Sequence, residues 1–310
     1  MSMEILQNLL YYTLKMSTPL LLCSIGGVFV QKTGTLNFAL EAAINIGAFT
    51  AILFTVLTEN LVFGCIAAVI SCMLLNGLFG MFVVHFKADA VIIGLSLNML
   101  MLAIPPYLLE ALFGNRGLLM ATDIIQLESV AVHIPFIEDI PFIGPIISGQ
   151  TPLTYVAYVL IVVLTIVFYK TKFGIYVQVT GERRDAAEAV GIRTKRIVWI
   201  SLMISAVTCA LAGINLSVEQ AGAYSLNMSA ARGLICLSAI NCGRRRPIAS
   251  CAFSMVFGFS KALQMVMSTQ MGPDAALVMD VVPYLTIIIV FLATEFPVAR
   301  KNVMRIFREN

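Results

Sequence analysis

Long apolar runs follow one another along this chain, with little polar sequence between them. Hydropathy places them at about Leu9–Val30, Leu36–Leu57, Leu61–Val84, Ala90–Leu112, Leu153–Tyr169, Ile197–Val218, Pro247–Met267 and Leu277–Phe296, with a shorter piece near Ala230–Cys242. A helix of about 20 apolar residues crosses a bilayer core. Of the 310 residues, 59% are hydrophobic and 12% charged, and the mean hydropathy is +0.93. A soluble domain carries about 25% charged residues. Composition therefore excludes a soluble globule, a disordered chain and a nucleic-acid binder with a basic face. The runs do not alternate with period two, which excludes a β-barrel. The expectation is an all-α, polytopic transmembrane helical bundle of about eight to ten spans, forming one domain over residues 1–310.

Some runs carry helix breakers. Pro19 and the pair Gly26-Gly27 interrupt the first, so a discontinuous or re-entrant segment is expected there; Pro105-Pro106 should break or kink the fourth. Two connections are long. Residues 114–150 contain Pro135, Pro141 and Pro145 with Asp123, Glu128, Glu138 and Asp139, and read as an ordered loop. Residues 170–196 carry Lys170, Lys172, Arg183, Arg184, Arg193, Lys195 and Arg196, which by the positive-inside rule makes them cytoplasmic. Counting spans outward puts 114–150 outside. It puts Lys32, Lys87, Arg244–Arg246 and the tail bearing Arg300, Lys301, Arg305 and Arg308 inside. The start, with Glu4 and no basic cluster, reads as a retained membrane segment.

Small residues recur every four positions in two runs: Gly64, Ala68, Cys72, Asn76 and Gly80, then Ser201, Ser205, Cys209, Gly213 and Ser217. Such stripes mark close helix contacts in lipid. The cysteines form no C-x-x-C pair and read as apolar packing residues, and His85 and His133 are too far apart in sequence to suggest a metal site. No nucleotide loop or Ser/His/Asp set is legible, so enzymatic activity is not expected, nor is any cofactor.

Asn37, Glu41 and Asn45 are different. At i, i+4 and i+8 they share one helix face. A carboxylate at membrane depth needs a partner, water or substrate. Both a buried hydrogen-bond network and a translocation path remain open for these residues. Ser96 with Asn98, Asn215 with Glu219, Asn227 with Arg232, and Lys261 with Gln264 attract the same attention, and Asn37, Glu41, Asn45, Asn98 and Asn227 are the candidates for lining a path. In the basic connection, Thr180 as a cap, Glu182 in a first turn and Gly191 as a stop predict a short helix. Ala186, Ala187 and Ala189 give it a bare surface suited to a cleft on another protein.

Several motifs resemble the membrane permease subunits of bacterial ABC importers, in the superfamily serving ribose-type sugars and branched-chain amino acids. Gly34-Thr-Leu-Asn37-Phe-Ala-Leu-Glu41 followed by Gly47-Ala48-Phe49 is similar to its amino-terminal signature, and Gly181 to Ile192 resembles its cytoplasmic loop. Ile93 to Asn98, Phe142 to Pro145 leading to Pro152-Leu153, and Asn227 to Gly233 resemble the nucleoside branch. Ala42-Ala43 and Arg245 depart from the family pattern. The resemblance implies a multi-pass protein of the bacterial inner membrane working with a separate ABC ATPase subunit, a second related permease and an extracellular substrate-binding lipoprotein. It implies that Glu182, Arg183, Arg184, Asp185, Ala186, Ala187 and Gly191 form the coupling helix docking on the ATPase. A nucleoside is the implied solute; a monosaccharide such as ribose in the same class, or a self-sufficient secondary transporter using Glu41 and Lys261, are the alternatives.

Overall fold

The computed structural model describes residues 3–114, 117–121, 124–125, 132, 144–270 and 281–294. The first half comprises α1 (Met3–Lys32), α2 (Leu40–Thr58), α3 (Leu61–Gly80, prolonged to His85 by a π turn) and α4 (Ala90–Phe113). The second comprises α5 (Pro152–Lys170), α6 (Lys172–Glu182), α7 (Arg184–Ala189) and α8 (Thr194–Ile214, prolonged to Ala221 as a π-helix). It ends with α9 (Arg232–Cys242), α10 (Pro247–Gln270) and α11 (Val282–Thr294). Among the described residues, seven helices are long and apolar enough to cross a membrane, and two shorter apolar ones, α9 and α11, accompany them. The architecture is the expected polytopic helical bundle.

Burial sorts the helices into centre and rim. In their apolar stretches 83% of α1, 72% of α2 and 67% of α8 is buried, against 28%, 22% and 17% for α3, α4 and α5. α1 is the hub, packed along α10, α8, α9 and α5. The two small-residue stripes are buried throughout and sit at close contacts. A Cβ on Gly213 would come within 2.6 Å of the backbone at Ile44 and Ala48, and one on Gly64 within 2.4 Å of the Ala51 carbonyl. These stripes let α2 approach α8 and α3 backbone to backbone.

The expected breaks are not where the breakers stand. α1 runs through Pro19 as one helix. Proline deprives the Lys15 carbonyl of its intrahelical donor, and Gln220 Nε2 donates to that carbonyl at 3.2 Å. Gly26 serves packing, since a Cβ there would lie 1.9 Å from Thr208 Oγ1 on α8. α4 likewise continues through Pro105 and Pro106, and the Met101 carbonyl that Pro105 frees accepts from Asn45 Nδ2 at 2.9 Å. Side chains from neighbouring helices thus repair what proline removes.

Helix is instead lost at residues 33–39, before α2, and at 222–231, before α9. Each stretch reaches from one end of the bundle to its middle. α9 has 11 residues, so it rises about 16 Å from the basic end, roughly half of a 30 Å bilayer core. Asn98, which bonds Phe38 and Ala42 across the first break, stands about 12 Å above the start of α4 by the same rise. At the opposite end β1 (Leu118–Met120) pairs antiparallel with β2 (Ala223–Ser225), Leu119 facing Tyr224. This ribbon ties the 114–150 connection to the second break. Arg116, Asp123, Glu128, His133, Pro135, Glu138, Asp139 and Pro141, with the basic tail, lie outside the described residues.

Candidate functional site

The two mid-depth breaks meet around a cavity of about 270 Å³ lined by Glu41, Ala42, Asn45, Leu95, Asn98, Met99, Met101, Leu102, Asn227, Ser229, Ala231 and Leu234. Four of the five polar residues singled out from sequence are on its wall. Asn37 is not: fully buried, it donates to Asn76 Oδ1 at 3.3 Å and accepts from the Ala39 backbone N–H at 3.0 Å. Its position on the helix face was misjudged because residue 37 precedes α2 and lies in the non-helical stretch.

Glu41 holds the start of α9. Its Oε1 accepts from Ser229 Oγ at 2.5 Å and the Ala231 N–H at 2.9 Å, and its Oε2 accepts from the Gly233 N–H at 2.6 Å. The first N–H groups of a helix have no internal partner and carry a partial positive charge, so a carboxylate satisfies them and matches the charge. Gly233 makes this approach possible, because a Cβ there would be 2.3 Å from the Glu41 nitrogen. The turn leading in is strained, with Asn227, Ala230 and Ala231 at φ +54°, +43° and +61°. Non-glycine residues persist in that region only where surrounding contacts over-determine them. Arg232 adds bonds from Nη1 to the Met228 and Ser229 carbonyls at 2.9 and 3.2 Å.

Asn98 and Asn45 stitch α4 to α2. Asn98 Oδ1 accepts from the Ala42 N–H at 2.9 Å and Nδ2 donates to the Phe38 carbonyl at 3.0 Å. Asn45 Oδ1 accepts from Tyr224 at 3.0 Å. Lys261 is not on the cavity wall; it donates to Gln264 at 3.2 Å and lies 5.8 Å over the Tyr284 ring. Asn215 and Glu219 form a separate knot, in which Glu219 accepts from Asn215 at 2.7 Å and the Leu153 N–H at 3.0 Å.

The basic connection forms two helices, not one. α6 already contains Thr180, whose buried hydroxyl caps nothing. The chain then extends at Arg183 (φ −148°), and α7 follows to the stop at Gly191 (φ +85°). Ala187 corrects the bare-surface expectation, because it is fully buried against the protein itself. Glu182, Arg183, Arg184, Asp185, Ala186, Glu188 and Ala189 are exposed, and Val190 is 75% exposed. Arg184 pairs with Glu188 at 3.6 Å, and Thr194 donates to Glu188. Lys32 pairs with Glu182 at 3.7 Å. Gly181 fits against the chain where α1 ends, its Cβ position only 1.7 Å from the Lys32 carbonyl.

The family model for the branched-chain amino acid transport system / permease component matches residues 9–291. The chain belongs to this permease family. The nucleoside ABC transporter permease protein NupC of Lactococcus lactis subsp. cremoris is 31% identical over 270 residues, covering 84% of this chain and 82% of that protein. The guanosine ABC transporter permease protein NupQ of Bacillus subtilis is 29% identical over 275 residues, covering 85% and 83%. No solved structure gives a significant match. Family and apolar helices together make this permease a multi-pass protein of the cell membrane.

Parts of the permease cavity escaped sequence reasoning. Ser229 on its wall, and Tyr224 behind Asn45, carried no helical pattern to flag them. Leu102 is on the wall, and Pro106 removes the intrahelical donor from its carbonyl. The signal was present in the sequence: the residue four before each proline is a backbone acceptor in need of a donor.

Proposed function

We propose that the chain is the permease subunit of an ATP-driven importer for nucleosides, with its basic end in the cytoplasm. The observation that carries the reading is the mid-depth cavity, where Glu41, Asn45, Asn98 and Asn227 face Leu95, Met99 and Leu102. Carboxylate and amide groups beside flexible apolar walls suit a solute with an apolar ring face and a hydroxylated sugar. The names of NupC and NupQ point the same way.

ATP would be hydrolysed in a separate subunit docking on the exposed face of Arg183, Arg184, Asp185, Ala186, Ala189 and Val190. A second permease and an extracellular lipoprotein receptor would complete the assembly, the latter meeting the end that carries the β1–β2 ribbon. The contact of Gly181 with Lys32 gives a route inward, since the chain leaving Lys32 reaches Glu41 nine positions on. A push on α6–α7 would move the first break, and through Glu41 the start of α9.

The test is uptake of radiolabelled guanosine and adenosine by cells lacking the system, complemented with the complete set of subunits. Wild-type chain restores uptake, and excess unlabelled ribose does not compete. Leu95→Trp, which fills the cavity from an exposed wall position, abolishes uptake while the ATPase still co-purifies. Undiminished uptake in that variant, or competition by ribose as strong as by nucleosides, would overturn the reading.

A further inference from the structure

The triplet Arg244-Arg245-Arg246, between α9 and α10, has no part in the cavity or the coupling helix. α9 ends with the Arg244 and Arg245 N–H groups bonding back to the Asn241 and Ile240 carbonyls, both at 2.9 Å. Such an ending normally falls to glycine, which adopts the left-handed conformation freely. Here two successive arginines adopt it, at φ +52° and +56°. Arg244 and Arg245, with Asn241 and Phe291, line a cavity of about 430 Å³. All three arginines are exposed, and no acidic partner is paired with them among the described residues.

The surroundings decide what such a cradle takes. Phe291 sits on α11, whose outward residues Leu285, Ile288, Ile289 and Leu292 are exposed apolar side chains, and Ile248 at the start of α10 is exposed as well. The cradle therefore lies where a lipid-facing apolar surface meets the charged end of the bundle. That junction matches an amphiphile, with its phosphate on the guanidinium groups and its acyl chains along α11. We propose that Arg244, Arg245, Asn241 and Phe291 form a binding site for the headgroup of an anionic phospholipid in the leaflet at the basic end. The site borders the carboxyl end of α9, whose amino end Glu41 holds at the cavity.

The test uses the full-length chain with its partner subunits, reconstituted in nanodiscs of phosphatidylcholine alone or mixed with phosphatidylglycerol. Native mass spectrometry then counts retained lipid. Wild-type protein retains phosphatidylglycerol over phosphatidylcholine, and soluble glycerol 3-phosphate does not displace it. Arg244→Gln with Arg245→Gln lowers that preference roughly 30-fold, the product of two lost arginine–headgroup attractions. The Lys pair at both positions keeps most of it, and Lys170→Gln, which removes a charge from the same end, leaves it unchanged. Equal retention of the two lipids by wild type, or an unchanged preference in the Gln pair, would overturn the proposal. Displacement by glycerol 3-phosphate would overturn the lipid assignment in favour of a soluble phosphate ester. Loss of the ATPase from the Gln pair with lipid preference intact would reassign the arginines to a protein contact.

Discussion

Replacing Glu41 by glutamine should separate α9 from α2 while leaving side-chain size nearly unchanged. In the native chain one carboxylate oxygen takes Ser229 Oγ and the Ala231 N–H, and the other takes the Gly233 N–H. A glutamine that keeps its oxygen toward Ser229 and Ala231 turns an N–H₂ onto the Gly233 N–H, donor against donor. Hydrogen bonds to a charged group contribute about 1.5–3 kcal/mol, and a buried donor left unsatisfied costs about 1–3 kcal/mol. The negative charge also loses its interaction with the helix N-terminus, about 0.3–1 kcal/mol. A loss of about 3 kcal/mol is the central expectation. In detergent-solubilised protein this lowers Tm by roughly 6 °C, taking about 2 °C per kcal/mol for a chain of this size. Glu41→Ala should cost more, because it leaves both backbone N–H groups bare at membrane depth. Ser229→Ala removes one contact and should cost about 1 kcal/mol. Thermal unfolding of the three variants, with nucleoside uptake measured in parallel, checks the order Ala, Gln, then Ser229→Ala. A Tm unchanged in Glu41→Gln would mean that the carboxylate does not hold α9, and the argument from these three distances would fall.

Other expectations concern coupling, proline repair and the cavity wall. Ala186→Trp, on the exposed side of α7, should preserve folding but separate ATP hydrolysis from uptake; Ala187→Trp, at a fully buried position, should lower expression and Tm instead. ATPase co-purification and uptake of both variants distinguish the two sides of the helix. Gln220→Ala should destabilise wild type by about 1–3 kcal/mol by orphaning the Lys15 carbonyl. In a Pro19→Ala background, where the helix supplies that donor itself, the same change should cost at least about 1 kcal/mol less, read as the coupling energy of a double-mutant cycle. Asn98→Ala should lower both Tm and uptake, whereas Asn227→Ala should lower uptake with Tm held, measured on the same preparations.

The apolar runs were legible because a bilayer demands long hydrophobic helices and little else, and their ends fall within a few residues of α2 through α5. The small-residue stripes were legible for the same reason, since only packing explains their period on α3 and α8. Breaks were not. Pro19, Pro105 and Pro106 look like interruptions in isolation, yet Gln220 and Asn45 repair two of the freed carbonyls from distant helices. No local pattern reports a donor that arrives from two hundred residues away. Conversely, residues 33–39 have no proline; Gly34 (φ +86°) turns the chain after α1, and the rest of the stretch is held by tertiary partners, Asn98 and Asn76, that sequence proximity does not reveal. Asn37 was misread through that gap: its spacing from Glu41 holds only if helix continues, and it does not. Arg244 and Arg245 were legible as topology signals but not as a left-handed turn, because helix endings of this kind usually announce themselves with glycine.

A chain that breaks two helices at membrane depth must satisfy the backbone groups it exposes, each worth several kcal/mol where water is scarce. Here the intramembrane polar side chains meet most of that demand. Asn37 takes the Ala39 N–H, Asn98 takes Ala42 and Phe38, Glu41 takes Ala231 and Gly233, and Arg232 takes the carbonyls of Met228 and Ser229. Structural network and solute path are therefore not competing explanations for these residues, because the same bonds that steady the breaks create the polar wall. It follows that little hydrogen-bonding capacity remains for a solute. The Asn227 side chain, exposed at the cavity and without a hydrogen-bond partner among the described residues, retains its full capacity. The Leu102 carbonyl, deprived by Pro106, and the one lone pair left on Glu41 Oε2 supply acceptors. Recognition would then rest on few polar contacts and on the methionine and leucine walls, an arrangement that favours a large, partly apolar solute over a small, fully hydroxylated one.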